Sequence, residues 1–288
     1  MRIGIGLPGT IPGTKGETII AWARRADEGG VLSSLSTLDR IVYPNYEALT
    51  TLAAAAAVTT RVRLMTTILI ATVRNTAILA KETASLDALS GGRLTLGLGV
   101  GGRVDDFRAT ETTFDDRGRR FDRQLETLHR IWSGGPAAEG AGPIGPAPVQ
   151  PGGPQVLIGG YTPKALARLA RWGAGYVGGG GSPERSKQGY EMAERVWKEA
   201  GRPGKPLFVG AGYFALGENA HERGGVYLRD YYSFLGPMGE MIAQSLPATP
   251  EAVKGMIQAF VDAGADELVL WPTIAEVDQV DRLTDLVR

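Results

Sequence analysis

Residues Asp87 to Gly102 read DALSGGRLTLGLGVGG. An apolar helix end runs into Ser90-Gly91-Gly92, a short apolar strand follows from Arg93 to Leu98, and the chain then turns through Gly99, Gly101 and Gly102. A buried strand ending in glycines lets the backbone approach a ligand, because no Cβ stands in the way. A turn with packing duties alone is the plainer alternative. The spacing Gly97-x-Gly99-x-x-Gly102 also fits the G-x-G-x-x-G dinucleotide fingerprint, which requires a helix opening on the last glycine and an acidic residue closing the next strand about 20 residues on. Here Arg103 to Phe107 leads into a polar stretch, and Phe121 and Asp122 fall in a helical pattern. A nicotinamide-dependent dehydrogenase of the open-sheet kind is therefore the weaker reading.

Outward from this stretch the same unit repeats. Strand patterns at Ile3–Leu7, Val31–Leu38, Val62–Ile70 and Arg93–Leu98 alternate with helical patterns at Glu17–Glu28, Asn45–Thr59 and Asn75–Leu89. The second half continues with a helix at Phe121–Trp132, a Gly/Pro-rich surface loop from Gly134 to Pro154, and strands at Gln155–Ile158, Gly175–Val177, Leu207–Leu216 and Glu267–Trp271. Helices are expected at Pro163–Trp172, Pro183–Ala200, Pro250–Ala263 and Val277–Val287, with an aromatic helical region from Glu218 to Phe234. Near-continuous apolar strands alternating with helices belong to a parallel sheet covered on both sides. Eight such units in 288 residues match an α/β fold made of a single (β/α)8 TIM barrel, for which ~250 residues is typical. No second core or composition shift divides residues 1–288.

Thirty-one basic and 31 acidic residues balance, so there is no basic field for nucleic acid or anionic lipid. Cysteine is absent, which removes disulfides and thiolate chemistry. The two histidines, His129 and His221, are far apart, and no metal site or Ser-His triad is expected. The start, MRIGIGLPGT, enters a strand without a signal-peptide core, and the longest apolar run is too short to span a membrane. A soluble cytoplasmic protein is the expectation.

On a barrel of this kind chemistry sits at the C-terminal strand ends. Strand two ends in Asp39-Arg40, strand five in Gly159-Gly160-Tyr161-Thr162-Pro163, and strand six in a run of four glycines that includes Gly179 and Gly180. Backbone N–H groups at a helix start bind phosphate with help from the helix dipole, so the two glycine-rich ends form a candidate phosphate cradle. Loops that merely need positive φ are the alternative. Asp39 and Arg40 are open to two readings, acid–base or electrostatic work, or an ion pair with a neighbour such as Arg103 or Arg74. Arg40 stays protonated and cannot be a general base, but it can hold an anion or a developing charge. Tyr227, Tyr231, Tyr232 and Phe234 are expected to cover the barrel mouth or pack on a partner.

The run from Leu79 to Asp87, continuing through LSGGRLTLGLGVGG to Asp106-Phe107, resembles the bacterial luciferase-like flavin-dependent oxidoreductases. The IGG-Y-T-P turn at Ile158–Pro163, the arginine-rich start of the helix ending at Trp132, and the closing Ala263–Leu270 fit the same family. The resemblance covers nearly the whole chain. It implies a flavin- or F420-dependent oxidoreductase or monooxygenase with FMN or coenzyme F420 as cofactor, a small-molecule substrate, a homodimer and, for some members, a separate flavin or F420 reductase. It implies a backbone bulge with a non-proline cis peptide near Thr67-Ile68 under the ring, Ile70, Gly101, Gly102 and Asp106 along the ring or its polyol chain, and Gly159, Gly160, Tyr161 and Thr162 on the phosphate with Gly179 and Gly180 opposite. F420-dependent sugar-phosphate dehydrogenases of the family carry a histidine and a glutamate where this chain has Arg40 and Arg103. That departure argues against their acid–base mechanism and assigns the two arginines to an anionic substrate group or developing negative charge. It also leaves room for a non-catalytic flavin-binding barrel.

Overall fold

The computed structural model describes residues 1–179 and 182–288. Eight parallel strands close on themselves in chain order: β1 Arg2–Gly6, β2 Ser34–Thr37, β3 Arg63–Ile70, β4 Leu94–Gly99, β5 Gln155–Gly159, β6 Gly175–Val177, β7 Leu207–Phe214 and β8 Glu267–Pro272. β1 pairs with β8 through Arg2–Glu267 to Ile5–Leu270, which completes the ring. A closed ring has no crevice where strand order reverses, the place at which an open sheet binds a dinucleotide. The barrel therefore removes the open-sheet, Rossmann-type reading of the glycine stretch.

Helices α1 Gly16–Glu28, α2 Ala48–Ala56, α3 Thr76–Leu89, α5 Arg117–Trp132, α6 Pro163–Trp172, α7 Pro183–Glu199, α10 Pro250–Asp262 and α11 Asp278–Val287 form the outer layer. Their starts follow from local chemistry. Asn75 accepts the N–H of Ala77 and Ile78, while Thr162, Ser182 and Thr249 cap helices whose first position is proline, where the missing N–H costs nothing. Outward strand residues such as Leu268 and Leu270 join the helix-facing core with Trp22, Phe121 and Phe260. Inward residues such as Met65, Leu157, Val209 and Val269 form a second core inside the ring. At the N-terminal end of the barrel the buried carboxylate of Glu267 accepts from the hydroxyls of Ser33 and Ser34.

Two helices lie outside the sequence expectation. The six-residue α4, Val104–Ala109, opens just after Gly102-Arg103, where a polar stretch was expected. α9, Pro237–Gln244, continues the aromatic region beyond α8, Ala220–Tyr231. Pro237 reads as a breaker in sequence but stands at the first helical position, where proline starts a helix. α5 begins a turn earlier than expected, which puts Arg117 to Arg120 in its first turn. α8 and α9 with the 3-10 turn Ser233–Leu235 lie over the inner core, and Tyr227 and Tyr231 are buried there beside Trp271 and Ile274. The aromatic segment thus covers the barrel mouth. No described helix is long and apolar enough to cross a membrane.

Candidate active site at the barrel mouth

The floor of the mouth is made by large side chains resting where glycines leave room. The Thr67–Ile68 peptide is cis, and the pairing of β3 with β4 shifts register between Thr67 and Leu69. The shift turns Ile68 inward. A Cβ on Gly99 would collide with Cδ1 of Ile68, and one on Gly159 would come within 2.9 Å of its Cγ2. Across the barrel, a Cβ on Gly6 would strike the indole of Trp271. Ile68 remains partly exposed, an apolar platform of the kind a flat ring rests on. Thr67 lies beneath, its hydroxyl 2.9 Å from that of Ser36.

Below and beside this floor, carboxylates fix the loops. One oxygen of Asp39 accepts the N–H of Ile70 at 2.8 Å and Nη1 of Arg74 at 2.6 Å, and the other takes Nη2 of Arg74 at 3.0 Å. Arg74 also reaches Glu47 at 2.9 Å. Of the two readings of Asp39, the structure shows the ion pair, and with Arg74 rather than Arg103. Burial is the largest influence on the Glu47 carboxyl and pushes its pKa up, but the N–H of Thr50 and the Arg74 guanidinium outweigh it and hold it below its ordinary value.

Two residues expected along the cofactor are placed differently. Asp106 is fully buried in α4, and one of its oxygens accepts the N–H groups of Ile41 and Val42 at 3.1 and 2.8 Å. It therefore pins the loop after β2 and presents no surface to a ring. Ile70 packs with Val73 and Phe107 in a small cluster, its Cγ2 2.7 Å from where a Cβ on Gly101 would stand. Gly101 has φ +72° and Gly102 is exposed with open space beside it, so the loop itself stays approachable.

Arg40 lies under the cap. Its Nη1 donates to the carbonyl of Tyr231 at 2.9 Å, and its guanidinium stands 4.2 Å from the ring centre of Tyr43 and 5.6 Å from that of Phe234. Arg103 stands 4.3 Å from the same Phe234 ring and pairs with Asp105. The loops after β2 and β4 thus bring both arginines to one aromatic residue of the cap. Tyr213 and Tyr232 share a hydroxyl contact of 2.8 Å. Burial first, then the neighbouring phenols, raises the pKa of Tyr213 well above the ordinary value and keeps it protonated.

The two glycine-rich ends meet through Tyr161, whose hydroxyl accepts the N–H of Gly179 at 3.1 Å. Gly159 and Gly160 are half-buried, and Thr162 and Gly179 are exposed. Gly160 has φ +134° and a Cβ there would press on Ala165 at 2.9 Å. Gly180 lies outside the described residues. Sequence reasoning missed Arg185, whose guanidinium stands 4.6 Å from the centre of the Tyr161 ring. Arg185 follows Ser182-Pro183-Glu184 in the first turn of α7, where Glu184 already balances its charge, so the sequence carried no signal for it. Approachable amides, two helix starts and a nearby arginine fit a phosphate group.

The fold is a (β/α)8 barrel, and these strand-end groups make its mouth the candidate site. A family model described as luciferase-like monooxygenase matches residues 1–288, and the chain belongs to that family of oxidoreductases. Over 170 residues it is 32% identical to Uncharacterized protein Rv0940c of Mycobacterium tuberculosis, covering 55% of this chain and 57% of that protein. The match thus spans little more than half the length of these curated relatives. Among solved structures it is similar to monooxygenase RslO1 from Streptomyces bottropensis, with 24% identity, TM-score 0.81 and coverage of 99% and 97% of the two chains. An F420-dependent secondary alcohol dehydrogenase solved with an F420-acetone adduct shares 18% identity at TM-score 0.78 over 100% and 99%. The F420-dependent tetrahydromethanopterin reductase of Methanopyrus kandleri shares 19% at TM-score 0.73 over 99% and 96%.

Proposed function

We propose that this barrel is an oxidoreductase that holds FMN or coenzyme F420 at its mouth and acts on a small organic substrate. The observation that carries the reading is the partly exposed Ile68 platform set over Gly99 and Gly159, beside the glycine turn Gly159 to Thr162, whose Tyr161 hydroxyl ties it to Gly179. When bound, the cofactor supplies two-electron redox chemistry, as hydride exchange for F420 or as oxygen activation for reduced FMN. The chain's own part is placement. Ile68 supports one ring face, the cradle amides and Arg185 neutralise phosphate charge, and the α8–α9 cap keeps water from the reacting atoms. The buried, protonated phenol of Tyr213 is a hydrogen-bond donor at the same end of the barrel. A separate reductase that returns electrons to the cofactor, a homodimer and a cytoplasmic setting complete the proposal.

The test is equilibrium binding of FMN and of F420 to the purified protein, followed by turnover with electron-poor alkenes, imines and alcohols. Binding of F420 alone supports hydride chemistry, and binding of FMN alone supports oxygen chemistry. Binding of neither rejects the proposal. Binding with no turnover on any oxidant or reductant replaces it with a non-catalytic cofactor-binding barrel.

A further inference from the structure

Arg40 and Arg103 come from different loops, yet both stand against the ring of Phe234. Two guanidinium groups gathered on one ring repel each other, more strongly where water is excluded. Their surroundings do little to offset this. Arg40 has no carboxylate partner among the described residues, and its polar contacts are the carbonyls of Tyr231 and Val42. Arg103 has one, the partly exposed Asp105. The carboxylates near them are engaged by other groups: Asp39 by Arg74, Asp106 through one oxygen by two backbone N–H groups while its other oxygen is buried without a partner, and Asp230 by the hydroxyl of Tyr43. Nε of Arg40 and both Nε and Nη1 of Arg103 are buried and meet no protein acceptor. Buried charged donors without acceptors are costly, and two guanidinium groups within 5.6 Å of the centre of one half-exposed aromatic ring suit an anion carried on an organic body.

We infer that Arg40 and Arg103 form a two-armed clamp for a carboxylate or phosphate borne by the substrate, with Phe234 holding the two arms together. The inference rests on the reading of the barrel mouth as the reaction site and narrows the substrate to an organic acid or phosphate ester. The two arms would meet the anion from the β2 and β4 loops, and the cap would close over its organic part.

The experiment is titration calorimetry with benzoate, phenyl phosphate and the neutral isostere benzamide. It uses protein saturated with whichever of FMN or F420 it binds, and protein alone if it binds neither. Benzoate or phenyl phosphate is expected to bind at least about tenfold more tightly than benzamide, with affinity falling as salt is raised. Arg40→Gln and Arg103→Gln are each expected to weaken the anionic probe about tenfold or more while leaving cofactor affinity within about threefold. Arg40→Lys keeps the charge without the planar fork, guards against a loss of fold in the glutamine variant, and is expected to bind with intermediate affinity. Equal binding of benzamide, no binding of either anion, or wild-type affinity in both glutamine variants would overturn the clamp. Loss of cofactor affinity with unchanged benzoate affinity would assign the arginines to the cofactor and overturn it as well. Benzoate binding by a protein that takes up neither cofactor would retain the clamp and remove the proposed function.

Discussion

Gly6 and Trp271 are mutually dependent: the indole of Trp271 fills the space in which a Cβ of Gly6 would stand. Ile68 stands in the same relation to Gly99 and Gly159. Adding a methyl group to a filled core costs about 1–3 kcal/mol. Gly6→Ala and Gly99→Ala are each expected to lower stability by that amount in chemical denaturation. Gly99→Ala is also expected to weaken cofactor binding, because the methyl displaces the Ile68 platform. A Gly99→Ala protein with unchanged stability and unchanged cofactor affinity would contradict this account of the floor.

The Asp39–Arg74 pair joins the ends of β2 and β3. Removing one member of a buried pair strands the other charge, at a cost of about 3–5 kcal/mol. Asp39→Ala is expected near the lower end, since Glu47 still faces Arg74. Urea titration reads the loss, and a change below about 1 kcal/mol would show that the pair behaves as an exposed one.

Asp27 accepts the N–H groups of Thr60, Arg61 and Val62 at 2.9 Å each. Burial is the largest single influence and pushes its pKa up, but the three donors together carry it below the ordinary 3.8. A carboxylate whose folded pKa is depressed stabilises fully above its unfolded pKa, and that contribution is lost as pH falls through the folded value. Stability is therefore expected to decline below about pH 4, and Asp27→Asn to flatten that acid limb. Its partial exposure holds the effect to about 1 kcal/mol. An acid limb identical in the variant would remove Asp27 as a contributor.

Tyr161→Phe deletes the acceptor of the Gly179 N–H while leaving a ring for Arg185. A single hydrogen bond is worth about 1 kcal/mol, so cofactor affinity is expected to fall about fivefold, with thermal stability little changed. Arg185→Gln is expected to lose more, about tenfold, because the bond it would make to phosphate is charge-assisted. Fluorescence titration with the cofactor that binds distinguishes the two, and equal affinity in both variants would place the phosphate elsewhere.

Much of this was legible in the chain because it is local. Apolar runs ending in glycine marked strand ends such as those of β4 and β5, and the helical patterns starting at Asn75 and Pro163 fell within one residue of α3 and α6. Other features depend on contacts between distant residues. Asp106 reads as a site residue beside exposed glycines, yet it is committed to Ile41 and Val42, some 65 positions away in sequence. The Phe234 meeting point needs three loops to be placed at once. α4 is too short for its period to register, and α9 was hidden by the glycines and proline around its start.

The Ile68 platform and the arginine pair reach the mouth by separate routes, and this carries an evolutionary consequence. The platform is built into strands, in holes that a single methyl group would close, whereas Arg40, Arg103 and Phe234 ride on connecting segments. If the proposed roles hold, descendants of such a barrel would rewrite which molecules they accept by exchanging those segments, while inheriting the Ile68 platform unaltered. Selection on the strands would then act as a brake, and selection on the loops as the source of novelty.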